Sequence, residues 1–157
     1  MLIQAALNGA RTRTEHPALP LTPGELAKAS AESIAAGAGA IHFHVRSPDG
    51  RESLSAEDVA KALAAVRSAV PGTPVGVSTG AWILPDTKMR HETVARWRVL
   101  PDFASVNFTE EGAAALAELL LSRGIGIEAA LSSVRAAELF VSSGLAANCL
   151  RVLLEPQ

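Results

Sequence analysis

Short apolar runs alternate with longer, alanine-rich helical patterns along the whole 157-residue chain. Leu2–Leu7 reads as a strand closed by Asn8-Gly9, and a polar loop follows to Pro20. Thr22-Pro23-Gly24-Glu25 predicts a helix start. Thr22 caps, Pro23 takes the first helical position, and Glu25 reaches back. This helix runs to about Ala36, where Gly37 suits a left-handed terminator. A strand Ala40–Val45 and a turn Ser47-Pro48-Asp49-Gly50 follow. Ser55 opens a second helix, with Val59, Leu63, Val66 and Val70 at helical spacing until Pro71-Gly72 breaks it. The later strands are Pro74–Ser78, Phe103–Phe108, Ile125–Leu131 and Leu150–Leu154. Between them lie a charged helix from Asp86 or Thr87 to near Leu100, a helix over Gly112–Ser122, and a helix capped by Ser132 or Ser133 and ended at Gly144. Six strands separated by five helices require a parallel sheet, because each helix is a crossover. Strands this short and partly alternating fit a barrel lining at least as well as a doubly wound sheet.

Composition narrows the class. Hydrophobic residues make up 48% of the chain and charged ones 19%, a globular balance. A net charge of −2 gives no polyanion-binding signature, so nucleic acid is not an expected partner. Cys149 is the only cysteine, which excludes a disulfide framework and a four-cysteine zinc knuckle. The longest apolar stretches, such as 112–121, are too short or too interrupted to span a bilayer, and Met1-Leu2-Ile3-Gln4 lacks the charged start of a secretion signal. The expectation is a cytoplasmic, single-domain protein without a membrane partner.

His42 and His44 are the strongest local feature. Two apart on a strand, they leave the same face near its carboxyl end, where parallel α/β folds place their sites. Such a pair either contributes to a divalent metal site or lines a polar pocket, and the spacing does not choose. Arg46 has the opposite parity. It reads as a carboxylate-binding group or as a surface arginine paired with Asp49 or Glu52, the second being favoured by position. Ser78-Thr79-Gly80-Ala81 offers hydroxyls and free backbone N–H groups to an anion, or is an ordinary βα turn. Neither a Gly-x-Gly-x-x-Gly nor a phosphate-loop motif occurs. Ser105, Asn107 and Thr109 form a polar strand face that suggests a polar pocket. Glu128 lies inside a strand and Glu155 ends one; a buried carboxylate there needs a cation or a metal. Asn8 reads as a pocket amide or a turn former, and His16 and His91 as surface residues. Lys88, Arg90, Arg96 and Arg98 read as a solvated face balanced by Glu92 and Asp102, more than as a site for a phosphorylated cofactor.

Taken in order, Asn8-Gly9-Ala10, Pro20-Leu21-Thr22-Pro23, Ala36-Gly37-Ala38, His42-Phe43-His44-Val45-Arg46 with Pro48-Asp49-Gly50, Ser78-Thr79-Gly80 and Ser105-Val106-Asn107-Phe108 form a pattern. In this order and spacing the chain resembles the β-keto acid cleavage enzymes, the 3-keto-5-aminohexanoate cleavage enzyme type among them. The resemblance implies a TIM (β/α)8 barrel with a divalent metal, usually zinc. It implies condensation of a β-keto acid with acetyl-CoA to give acetoacetate and a new acyl-CoA. By matching positions, His42 and His44 would be metal ligands. For the chemistry of such a site, Arg46 and nearby hydroxyls would hold the carboxylate and the developing oxyanion, which makes Arg46 the candidate catalytic residue. Ser78 and Ser105 would contact the keto acid with the backbone around Gly80 and Ala81; many members have a glycine where Ala81 stands. Asn107 and Glu128 complete the candidate substrate-binding set. Members that take an amino-keto acid have an acid where this chain has Arg11, so a neutral or anionic keto acid is expected.

In the resembled family a third metal ligand, a glutamate in a glycine-x-glutamate-aspartate motif, lies near the last barrel strand. No such motif occurs in this chain. A complete barrel usually takes about 250 residues. Residues 1–157 are therefore expected to form one barrel-type domain with about six strands, lacking the last two βα units. A shortened product, complementation by a second chain, and substitution by Glu155 or Glu128 are the explanations, in that order. Open sheet edges favour a homo-oligomer. The alternative function is a catalytically incomplete relative that binds a metal or an acyl-CoA. Another metal-dependent aldolase or hydrolase on a barrel is a third reading.

Overall fold

A computed structural model describes residues 1–155, leaving Pro156 and Gln157 of the expected domain outside the described residues. It contains strands β1 (Gln4–Ala6), β2 (Ala40–Phe43), β3 (Val75–Ser78), β4 (Phe103–Asn107), β5 (Gly126–Leu131) and β6 (Arg151–Leu154). The connecting helices are α1 (Pro23–Ala35), α2 (Ala56–Ala69), α3 (Thr87–Ala95), α4 (Ala113–Ser122) and α5 (Val134–Ser142). A single 3-10 turn, Ala146–Asn148, precedes β6.

All five strand pairings are parallel, and the strand order follows the chain from β1 to β6. A doubly wound sheet reverses its order at a switch point, and this one does not. The sheet also curls, because one cavity is lined by Gln4, His42, Ser78, Ser105, Ala130 and Leu153, one residue from each strand. The fold is thus a partial barrel of the TIM type, with six parallel strands among the described residues.

The helix signals read from sequence explain the boundaries. Thr22 and Glu25 form the capping box of α1, Ser55 caps α2, Asp86 caps α3 and Ser133 caps α5. Backbone N–H groups of Leu21 and Thr22 pull the Glu25 carboxyl down to about 2, helped by Arg13. A carboxylate with a depressed folded-state value stabilises above its unfolded value and loses that contribution as the pH falls. Glu25→Gln is therefore expected to lower the urea midpoint at neutral pH. The gap to the parent should close between pH 4.5 and about 2. A gap of constant size across that window would contradict the assignment.

Helix α3 stops at Ala95, short of the expected Leu100. The Arg123 guanidinium donates to the Val94 and Trp97 carbonyls, satisfying acceptors at the helix end. Trp97 is buried and donates its indole N–H to Leu54 O at 2.8 Å, turning the chain away from the helix.

The outward strand residues Ile41, Phe43, Val75, Val77, Ala104, Val106, Ile127 and Ala129 form the core with Leu26, Leu63, Val66, Leu116 and Leu120 of the helices. The inward residues are of another character. Phe103 lies across Gly76, where any Cβ would collide with its ring. The His42 ring stacks on it at 6.5 Å and the Arg151 guanidinium sits 4.9 Å from its centroid. This aromatic plug floors the interior. On the outer face of β6, Val152 and Leu154 are exposed.

Candidate active site

Above the plug, strand register brings polar residues level with one another. Ser78 pairs with Ser105, Ser105 with Glu128, and Glu128 with Arg151. His44 follows Phe43, which pairs with Val77, so it stands beside Ser78. The cavity at this carboxyl end measures about 570 Å³. Its wall includes His42, His44, Ser78, Ser105, Asn107 and Glu110.

The two histidines meet the cavity differently. Strand β2 ends at Phe43, so His44 lies just beyond the strand expected to contain it. Asn8 holds it there: its Oδ1 accepts from His44 N at 2.8 Å and its Nδ2 donates to His44 O at 2.9 Å. Asn8 also donates to Pro20 O at 3.0 Å, so it is a clamp between β2 and the loop before α1 rather than a free pocket amide. His44 Nδ1 lies 2.5 Å from Glu52 Oε1, and the other Glu52 oxygen accepts from the Trp82 indole N–H at 2.9 Å. Burial pushes the Glu52 carboxyl up, but the hydrogen bond and charge of His44, the Trp82 N–H and Arg46 together hold it below its ordinary value. The Trp82 ring stacks on the His44 imidazole at 6.0 Å.

His42 is buried, with its ring centroid 5.7 Å from that of His44. Its Nδ1 is 3.6 Å from Glu128 Oε2 and has no hydrogen-bond partner. Glu128 is wholly buried; its other oxygen meets Arg151 Nε at 3.0 Å, and Gln4 Nε2 donates to Oε2 at 3.3 Å. The expectation that a carboxylate in this strand needs a cation is thus met by Arg151. Both Nδ1 atoms face carboxylates, which leaves the Nε2 atoms as the ring nitrogens able to reach a ligand. Among the described residues no group of three or more His, Cys, Asp or Glu side chains is placed to hold one metal ion. Glu128 approaches His42 from its Nδ1 side and is already engaged, so it does not complete a donor set with the Nε2 atoms. Glu155 lines the cavity but is exposed.

Other candidates fall away from the cavity wall. Arg46 donates to Gly9 O at 2.6 Å and Arg11 O at 3.0 Å, fastening the loop after β1. Its expected partners are taken: Asp49 pairs with Arg51, and Glu52 with His44. Arg11 is exposed on that loop. Gly80 N donates to Ser78 Oγ at 3.3 Å and Ala81 N to Glu110 Oε2 at 2.9 Å, so both backbone N–H groups are already engaged.

Glu110 was silent in the sequence. Its Oε1 accepts from Asn107 Nδ2 at 2.8 Å, and Arg90 NH1 lies 3.4 Å from its Oε2. Arg90 is completely buried and donates to Glu111 O at 2.7 Å, which corrects its assignment to a solvated basic face. Lys88, Arg96 and Arg98 are exposed as expected, while Asp102 pairs with Arg67 instead. His91 is half-buried against Gly112 and not a surface residue; burial, then the Arg90 charge, lowers its pKa. His16 is exposed. Glu52 and Trp82 were also missed as site residues. The one available signal was Trp82 itself, one of two tryptophans, directly after Ser78-Thr79-Gly80-Ala81.

A curled, all-parallel sheet with paired imidazoles and hydroxyls at its carboxyl end defines a barrel-type protein with an enzyme-like cavity. The family described as β-keto acid cleavage enzyme matches residues 1–141. The chain belongs to that family. A 3-keto-5-aminohexanoate cleavage enzyme of Fusobacterium nucleatum is 38% identical over 81 residues, covering 51% of this chain and 30% of the relative. A 3-oxoadipate:acetyl-CoA acetyltransferase of Cupriavidus necator is 34% identical over 80 residues, covering 50% of this chain and 28% of the relative. The matched segments thus span under a third of those relatives. Among solved structures, ObcA in ternary complex with a C4-CoA adduct and oxalate superposes with a TM-score of 0.66 at 19% identity. That match covers 87% of this chain and 37% of ObcA. At this identity the likeness establishes the barrel fold alone. No helix among the described residues is long and apolar enough to cross a membrane.

Proposed function

We propose that this chain provides the histidine-bearing part of a metal-dependent β-keto acid cleavage enzyme. The reaction condenses a neutral or anionic β-keto acid with acetyl-CoA to give acetoacetate and an acyl-CoA. The observation that carries this reading is the presence of two imidazoles with carboxylate-backed Nδ1 atoms on one cavity wall with Ser78 and Ser105. The names of the relatives, a 3-keto-5-aminohexanoate cleavage enzyme and a 3-oxoadipate:acetyl-CoA acetyltransferase, support it.

His42 and His44 would hold the divalent metal, with zinc suited to neutral imidazole donors. The chemistry supplied at that site would be Lewis-acid polarisation of a keto carbonyl, with stabilisation of the charge that develops as the carbon–carbon bond breaks. Ser78, Ser105 and Asn107 orient the keto acid from the cavity wall, above the Phe103 ring that lies across Gly76. Arg46 and Arg11 act on the shape of the loop beside the cavity. The open edges of β1 and β6 suit association with a further chain or segment. A second reading, an incomplete relative that binds metal or acyl-CoA without turnover, is favoured by the two-histidine donor set among the described residues.

The test is zinc analysis of the purified chain together with acetoacetate formation from a panel of β-keto acids and acetyl-CoA. The expected result is bound zinc and turnover, both lost in His42→Ala. Zinc binding without acetoacetate from the folded chain would establish the second reading. Absence of both would defeat the metal assignment.

A further inference from the structure

We infer that Glu52 and Trp82 are positioning residues that fix His44 in one tautomer, with its Nε2 lone pair held toward the cavity. The inference deepens the metal-site reading and rests on it for its purpose, though not for its geometry. The turn over Ser47–Gly50 folds the chain back, and an antiparallel bridge between Arg46 and Glu52 sets Glu52 beside the residue just past β2. A carboxylate is an acceptor only, so the 2.5 Å contact assigns the imidazole proton to Nδ1. Nε2 is then unprotonated and able to donate its lone pair. The second Glu52 oxygen is engaged by the Trp82 N–H at 2.9 Å, which stops the carboxylate from rotating away. The same indole lies against the imidazole, its plane inclined by 26° to the ring. With Asn8 on the His44 backbone, the residue is held at its main chain, one ring nitrogen and one ring face. His42 has no comparable clamp, since its carboxylate contact is 3.6 Å long. A carboxylate behind a ligating histidine also raises the basicity of the imidazole, and losing it typically costs about 10–100-fold in metal affinity.

The experiment uses the full chain and two readouts. The first is the imidazole 15N spectrum of the metal-free protein at about pH 8, above the ordinary histidine range. The parent should show His44 as a single Nδ1–H tautomer, and Glu52→Ala a mixture. The second is zinc affinity by chelator competition. Glu52→Ala is expected to bind about 10–100-fold more weakly, with partial recovery in Glu52→Asp. Trp82→Phe, which keeps the stack and removes the N–H donor, should lose less. Circular dichroism reports whether each variant is folded, and Glu52→Met, of similar length and without the oxygen acceptors, replaces Glu52→Ala if the latter is not. A parent that binds no zinc defeats the metal reading while the tautomer spectrum still decides the clamp. An unchanged His44 tautomer together with parent-like zinc affinity in the folded variant overturns the inference.

Discussion

Arg151→Met is expected to lower the unfolding free energy by about 3–5 kcal/mol, the usual cost of removing one partner of a buried ion pair. Glu128 has no exposed surface, and Arg151 Nε is its close cationic contact at 3.0 Å. Gln4 offers one hydrogen bond at 3.3 Å, and the His42 contact is longer still, so neither replaces the guanidinium. The substitution also removes a cation from the face of Phe103. Denaturant unfolding measures the loss. Replacing both partners, Glu128→Leu with Arg151→Met, should recover most of it, because two apolar groups leave no stranded charge. A single variant that loses less than about 1 kcal/mol would show that the pair is solvated in solution.

Gly76→Ala is the second large effect. The new methyl would occupy space held by the Phe103 ring, and the ring is confined by His42 and Arg151. Overpacking of this kind costs about 1–3 kcal/mol and more where the neighbour cannot move. A loss near the upper end is expected. Phe103→Leu on its own should also destabilise, by leaving a void under His42. Combined with Gly76→Ala, its cost should shrink, giving a coupling of about 0.5–3 kcal/mol in a double-mutant cycle. Additive losses would mean that the two residues do not share that space.

These two sites also mark where the sequence stopped being informative. Local signals carried the architecture. The Thr22–Glu25 capping box, the Asp86 and Ser133 caps and the positive φ of Gly37 are all set by neighbours in the chain. Alternation placed His42 and His44 on one face, and the polar run at Ser105 and Asn107 marked the cavity wall. Contacts fixed by register between strands were invisible to such signals. Nothing near Gly76 announces that Phe103 lies across it, and nothing near His44 announces Trp82, which arrives from the next βα loop. Arg90 was misread because its charge was weighed above its spacing. With Val94 it lies on one face of α3, and both are buried. Arg46 shows the opposite limit: its parity correctly set it off the inward face, while its carbonyl partners on the β1 loop depend on tertiary closure.

The strand order repeats the order of synthesis, and this has a kinetic meaning. Each strand finds its partner one helix upstream, so loop-closure entropy is incurred in small, similar steps. Among the described residues each pairing joins strands adjacent in sequence, which keeps the mean sequence separation of contacts low for a parallel sheet. A chain emerging from the ribosome can therefore add one βα unit at a time, each new strand docking on an edge already formed.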